Sequence, residues 1–341
     1  MNGTNLTRRS KTFLLICLLI INPSSLGSEQ FPFVEWLEGV EEEALTRGIS
    51  QPTIDAALMG LERDERVIGF DRHQPEFVQT FDEYLTARVS RTRVEEGIRL
   101  MAEHKGTLDR IGDHYGVDPR YLISFWGLES SFGKHQGTYQ VIRSLATLAY
   151  DPRRSAFFRS ELFNALQILD EGHIDPDRML GGWAGAMGQN QFLPSSFLNY
   201  AQDFAGDGHK NIWNDPVDVW ASIANYLRVN GWRRGQGWGM KVQLPAGFEF
   251  ADLKQDKIPR GCRALRQHTR KMALATWQQM GIRDETGADL PTADFTAALI
   301  VPESPREFTY LVFPNFRAIL SYNCANKYAV SVGMMVDSIT P

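Results

Sequence analysis

Apolar positions in the first third of the chain recur at helical spacing. Val34, Leu37 and Val40 fall on one face, and Phe77, Phe81, Tyr84 and Leu85 repeat the i, i+4 interval. The pattern predicts helices over residues 31–105. A sharper signal follows at Asp118-Pro119, where Asp suits an N-cap and Pro the first helical position. That helix runs through Tyr121, Leu122, Phe125 and Trp126 to Ser131, with Gly133 as its stop. Another starts at Asp215-Pro216, buries Val219, Trp220, Ile223 and Leu227, and ends near Gly231. After Gly239 the texture changes. Residues 241–244 and 308–313 read as strands set among Pro245, Pro291, Pro302, Pro305 and Pro314. Residues 263–281 read as helix, and 326–339 as a terminal helix. The expected fold class is mainly α (α+β). Its expected parts are an N-terminal helical region (28–105), a helical core (106–238), a small β-containing insertion (239–320) and a C-terminal helix (321–341) returning to the core.

The first 27 residues belong to a different kind of segment. Arg8, Arg9 and Lys11 precede a nine-residue apolar run from Phe13 to Ile21, broken at Asn22-Pro23. Such a run is too short for a bilayer-spanning helix of roughly 20 residues, and it reads as a cleavable secretion signal cut after Gly27. Cys17 lies inside the apolar run rather than behind a small residue at the cut, so no lipid anchor is expected. Without the signal, 33 Lys+Arg face 41 Asp+Glu, a net charge of −8. A general nucleic-acid binder would carry a basic footprint instead, so nucleic acid is excluded as a partner. The 43% hydrophobic and 23% charged composition of the 341 residues excludes wholesale disorder and a multi-span membrane protein. The exported chain keeps two cysteines, Cys262 and Cys324. In an oxidising compartment a bridge between them and a pair of buried thiols both fit.

Two segments carry candidate chemistry. In Phe125-Trp126-Gly127-Leu128-Glu129-Ser130-Ser131-Phe132-Gly133 a single acid stands among apolar residues at a helix C-terminus. Desolvation and the negative helix end would both raise its pKa, which suits a proton donor to a glycosidic oxygen. An exposed helix-end Glu gives the same pattern. In residues 181–196, glycines 181, 182, 185 and 188 surround the amides of Gln189, Asn190 and Gln191. Such a loop can approach a ligand closely and hydrogen-bond its hydroxyl and N-acetyl groups.

Together these segments resemble the lytic murein transglycosylase B family, whose catalytic domain is lysozyme-like. The resemblance covers residues 31–337 and rests on FWGLESSFG, LATLAYDPRRSAFF, AGAMGQNQFLPSSF, DFAGDGHKNIWNDPVD, SIANYLRVNGW and SYNCANKYA, in family order. It implies a lysozyme-like core, a peptidoglycan substrate in the periplasm, and non-hydrolytic cleavage of the β-1,4 MurNAc–GlcNAc bond to 1,6-anhydroMurNAc ends. Glu129 would be the catalytic acid and base, with the substrate's N-acetyl group assisting and no cofactor required. Gln189, Gln191, Tyr226, Tyr322, Asn323 and Tyr328 would bind the sugars, while Arg153 and Arg154 would meet lactyl or stem-peptide carboxylates. Glycan strands, cell-wall synthesis enzymes and a monomeric state complete that expectation. Gly182 and Ala325 stand where relatives often carry Ser. A hydrolytic muramidase and a non-catalytic peptidoglycan-binding scaffold are the competing functions.

Residues Asp203 to His209 resemble the start of an EF-hand loop, with Asp203 and Asp207 at positions 1 and 5 and Asp218 as the closing acid. Ala205 offers no oxygen at position 3. A weak structural calcium site on Asp203, Asp207, His209 and Asp218 and a metal-free turn are both compatible with this segment.

Overall fold

Side-chain caps mark where several of the helices begin. The computed structural model describes residues 32–72, 80–255, 257, 261–301 and 309–339. The secretion signal, Cys17 and Phe77 therefore lie outside the described residues. Six helices come first: α1 (Phe33–Thr46), α2 (Gln51–Leu58), α3 (Glu65–Arg72), α4 (Phe81–Arg88), α5 (Arg91–Glu103) and α6 (Lys105–Tyr115). Thr80 and Glu83 close a full capping box at α4, and Ser90 caps α5 through the Arg93 N–H. On α1 the buried stripe is Leu37, Val40 and Ala44, whereas Val34 is 67% exposed. Its i, i+3 neighbours are apolar, but it sits in the first turn at the edge of the contact.

The central element is α7 (Pro119–Ser130), capped by Asp118, whose carboxylate accepts from the Arg120 N–H at 2.9 Å. Helices α5, α6, α11 (Pro216–Val229) and α14 (Asn326–Ser338) pack around it. All residues from Tyr121 to Leu128 are consequently buried. A helix apolar on every side needs such a sheath. Between α7 and α11 run β1 (Tyr139–Gln140), α8 (Val141–Tyr150), α9 (Ser155–Asp170), β2 (Leu180–Gly181) and α10 (Pro194–Tyr200), with β1 and β2 forming a two-stranded antiparallel ribbon.

The insertion holds β3 (Gly239–Gln243), β4 (Met272–Ala273), α12 (Leu274–Gln279), β5 (Arg283–Asp284), β6 (Thr296–Leu299) and β7 (Tyr310–Val312). The strands form one antiparallel sheet in the order β4-β6-β7-β3-β5. It has its own apolar core, including Val242, Leu274, Trp277, Ile282, Leu299 and Leu311. The helix expected over 263–281 is instead a 3-10 turn (Arg263–Gln267), β4 and the short α12. The reason is tertiary: Thr269 exchanges bonds with the Leu299 backbone at 2.9 Å in both directions, and Val301 donates to the Gln267 carbonyl. Pairing with β6 overrides local helix propensity there. The chain returns through α13 (Pro314–Tyr322) to α14. The architecture is thus mainly helical with a small antiparallel β insertion. Cys262 and Cys324 are disulfide-bonded, with a Cα–Cα distance of 5.4 Å. Among the described residues no helix is long and apolar enough to cross a membrane.

Candidate active site

Glu129 sits where α7 leaves its sheath, half-buried next to the fully enclosed Leu128 and Ser130. The backbone turns abruptly just beyond. The left-handed turn falls on Ser131 (φ 51°) and Phe132 (φ 61°) before it reaches Gly133 (φ 81°), two residues earlier than a glycine stop would place it. Non-glycine residues in this region carry strain, which persists only where the surroundings over-determine it. Here they do. The Ser131 and Phe132 N–H groups bond back to Gly127 and Trp126, and the Gly133 N–H donates to the Ser130 hydroxyl at 3.0 Å. Two glycines make room for the fold-back. A Cβ on Gly127 would lie 2.7 Å from the Phe132 ring, and one on Gly133 would lie 2.5 Å from Gln189 Oε1.

Two tyrosines from the C-terminal helices meet this acid. The Tyr328 hydroxyl donates a short hydrogen bond to Glu129 Oε1. The Tyr322 hydroxyl donates to the Asn190 carbonyl at 2.5 Å, and its ring packs 4.7 Å from both Phe125 and Tyr226. Burial, and then the charge of Glu129, push both phenols well above their ordinary pKa, so both remain hydrogen-bond donors. Tyr226 is pushed up to about 12 by burial and donates to the Ser321 carbonyl at 2.6 Å. Asn323 is exposed at the end of α13.

The three consecutive amides divide sharply. Gln189 is buried and closed on both ends, accepting from Trp126 Nε1 at 2.7 Å and donating to the Trp213 carbonyl at 2.8 Å. Asn190 is fully buried, with neither end of its amide paired among the described residues. Gln191 adopts φ 51° and spends its NH₂ on the carbonyls of Gln136 (3.0 Å) and Gly188 (2.8 Å). Its Oε1 faces Gly182, whose Cβ position is 3.7 Å away. The structure thus brings Glu129, Tyr322, Tyr328, Tyr226 and the 189–191 turn together. A family model described as a transglycosylase SLT domain matches residues 32–337. The chain belongs to that family.

This SLT-domain chain is similar to the membrane-bound lytic murein transglycosylase B of Escherichia coli (strain K12), 31% identical over 247 residues. That match covers 72% of the chain and 63% of the relative, so it spans less than two thirds of the relative's length. It is also similar to SltB3 from Pseudomonas aeruginosa, solved in complex with NAG-anhNAM-pentapeptide, at 40% identity and a TM-score of 0.84, covering 91% of this chain and 80% of that one. The Escherichia coli lytic transglycosylase SLT35, solved in complex with calcium, shares 27% identity with a TM-score of 0.73, covering 90% and 92%.

The other sequence-predicted residues of this transglycosylase-family chain lie in different settings. Arg153 and Arg154 both grip the buried Asp71 of α3, and Arg154 also stacks 4.6 Å over Phe158. In the EF-hand-like loop the carboxylates serve the loop's own backbone. Asp203 accepts from Gly206, Asp207 and Gly208, and the buried Asp218 from Phe204, Ala205 and Asn211. Burial acts upward on Asp203, but these donations outweigh it and its pKa is lowered; in Asp218 burial wins and the pKa is raised. Asp207 accepts from the His209 N–H. Among the described residues no group of three or more His, Cys, Asp or Glu side chains is placed to hold a metal ion.

Two arginines at the site escaped the sequence reading. Arg88 donates to the Leu128 carbonyl at 3.4 Å, and Arg93 reaches the Arg88 carbonyl and the Ser131 hydroxyl. They supply positive charge where α7 exposes its last carbonyls. Burial, and then Arg88, hold the Arg93 guanidinium below its ordinary pKa. A signal was present: Arg93 shares its helix face with the buried Gly97 and Leu100.

Proposed function

We propose that this chain is a lytic transglycosylase of peptidoglycan, cleaving the β-1,4 MurNAc–GlcNAc bond without consuming water. The observation that carries the reading is the half-buried Glu129 carboxyl, held by Tyr328 at the end of a sheathed helix in a chain of this family. Burial and the helix end favour its protonated form, while the Tyr328 donation favours the carboxylate. A group balanced in this way suits both halves of an acid/base cycle. Glu129 protonates the glycosidic oxygen as the anomeric C–O bond breaks, and the MurNAc acetamido oxygen bonds to the anomeric carbon. The Glu129 carboxylate then removes the proton of the 6-hydroxyl. That oxygen displaces the acetamido oxygen, and Glu129 ends protonated as it began. One carboxyl suffices because the sugar supplies both nucleophiles.

Tyr322, Tyr226 and Gln191 shape the sugar site beside the acid. The signal-like N-terminus supports export to the periplasm, where this substrate lies. The test is mass spectrometry of digested sacculi. Anhydro-ended muropeptides are expected from the natural chain and none from Glu129→Gln. Reducing muramic ends would instead identify a hydrolase, and undiminished solubilisation by the variant would overturn the assignment of the acid.

A further inference from the structure

Where the β insertion meets the first turn of α13 there is a pocket that the reaction above does not use. Its apolar wall includes Ala298, Phe316 and Leu320, and Lys271 and Arg317 stand at its mouth. Both cations are exposed, and neither side chain has an ion pair or hydrogen bond among the described residues. Desolvation, and then the positive charges of Arg317 and Arg233, hold the Lys271 amine below its ordinary pKa. His268 lines the inner wall, buried and bonded through Nε2 to Asn326 Oδ1. Burial depresses its pKa, so it adds no charge. The pocket also receives the N-terminal turn of the nine-residue α13, which begins at Pro314 and presents the positive end of its dipole.

These features favour one kind of guest. Two unpaired cations and a helix N-terminus select an anion, and the apolar wall selects a small hydrocarbon group beside it. The pocket is partly open, with about 30 Å³ of room for water-sized groups. A carboxylate head is of that scale. Reach matters as well. Tyr322 lies at the opposite end of α13, eight residues on from Pro314, or roughly 12 Å at the helical rise. An extended peptide of four residues spans roughly 13 Å.

We propose that this pocket, walled by Ala298, Phe316 and Leu320 and gated by Lys271 and Arg317, binds the carboxylate of a wall-polymer stem peptide whose sugar occupies the cleft. The proposal rests on the peptidoglycan reading for the identity of the peptide. The experiment is titration calorimetry on the full chain with acetyl-D-alanyl-D-alanine, its C-terminal amide and inorganic phosphate. Saturable binding of the acid is expected, with the amide weaker by roughly tenfold or more. Lys271→Gln and Arg317→Gln, both at exposed positions, each weaken the acid by a similar factor, and Lys271→Arg retains it. Equal binding of acid and amide, insensitivity to both neutral substitutions, or no saturable binding overturns the proposal. Phosphate displacing the dipeptide at equal concentration would mark a general oxyanion site and overturn the peptide assignment. The probe has no glycosidic bond, so a failed sacculus digestion and a failed titration are separate results.

Discussion

A hydroxyl donating to a carboxylate favours the ionised form over the neutral one, so the Tyr328 bond to Glu129 gives a pH effect its sign. In the proposed cycle Glu129 starts protonated, so activity is expected to fall as that proton leaves. Removing the donor takes away a bond that favours the carboxylate. In Tyr328→Phe the alkaline limb of kcat/KM is expected to move to higher pH. An unmoved limb, measured across the same buffers, would show that the bond does not tune the acid. The glycines around the turn are equally specific. In Gly133→Ala the new Cβ meets Gln189 Oε1, which already accepts from Trp126, at a backbone angle that resists side chains. Urea unfolding is expected to show a loss of about 2–3 kcal/mol, against a change of at most about 0.5 kcal/mol for Gly182→Ala. Gln189 and Gln191 look alike in the sequence, two amides on either side of Asn190. What separates them is which indole and which carbonyls the fold brings to each, and no spacing rule carries that information.

At the scale of elements, α7 and α11 were legible because an Asp cap, a Pro at the first position and an apolar stripe agree in each. The segment 263–281 was not, since its helical pattern competes with backbone partners on β6 some thirty positions away. Arg153 and Arg154 illustrate the same limit, for their partner Asp71 lies more than eighty residues upstream. A contact between α5 and the loop after α7 yields a prediction at this scale. Glu96 bonds Arg99 and Lys134, and these two cations hold its carboxyl down at about 2. Its contribution to stability is therefore present above the ordinary carboxylate pKa and lost as pH falls toward 2. The group is partly exposed and solvent-screened, so Glu96→Gln should cost at most about 1 kcal/mol at pH 7. In denaturant melts the difference from the natural chain is expected to vanish near pH 2.

On the scale of the whole molecule, the described residues form two apolar cores, one chiefly among the helices and one inside the β insertion. Their link was open in the sequence, where two distant cysteines suited a bridge and free thiols alike. The Cys262–Cys324 bond ties the segment between β3 and β4 to the turn between α13 and α14, closing a loop of 62 residues. Replacing both cysteines by Ser is expected to lower stability by about 2–4 kcal/mol in urea unfolding, as loop closure predicts. Cys324 lies two residues after Tyr322 and four before Tyr328, so the same bond anchors the stretch that holds the acid. The double Ser variant should consequently lose rate at temperatures where it is still fully folded by circular dichroism. A freshly made chain kept among reducing thiols would hold Glu129 by packing and the Tyr328 hydrogen bond alone. Oxidising surroundings would add the covalent tie, so the firmness of that hold is expected to follow the redox state outside the molecule.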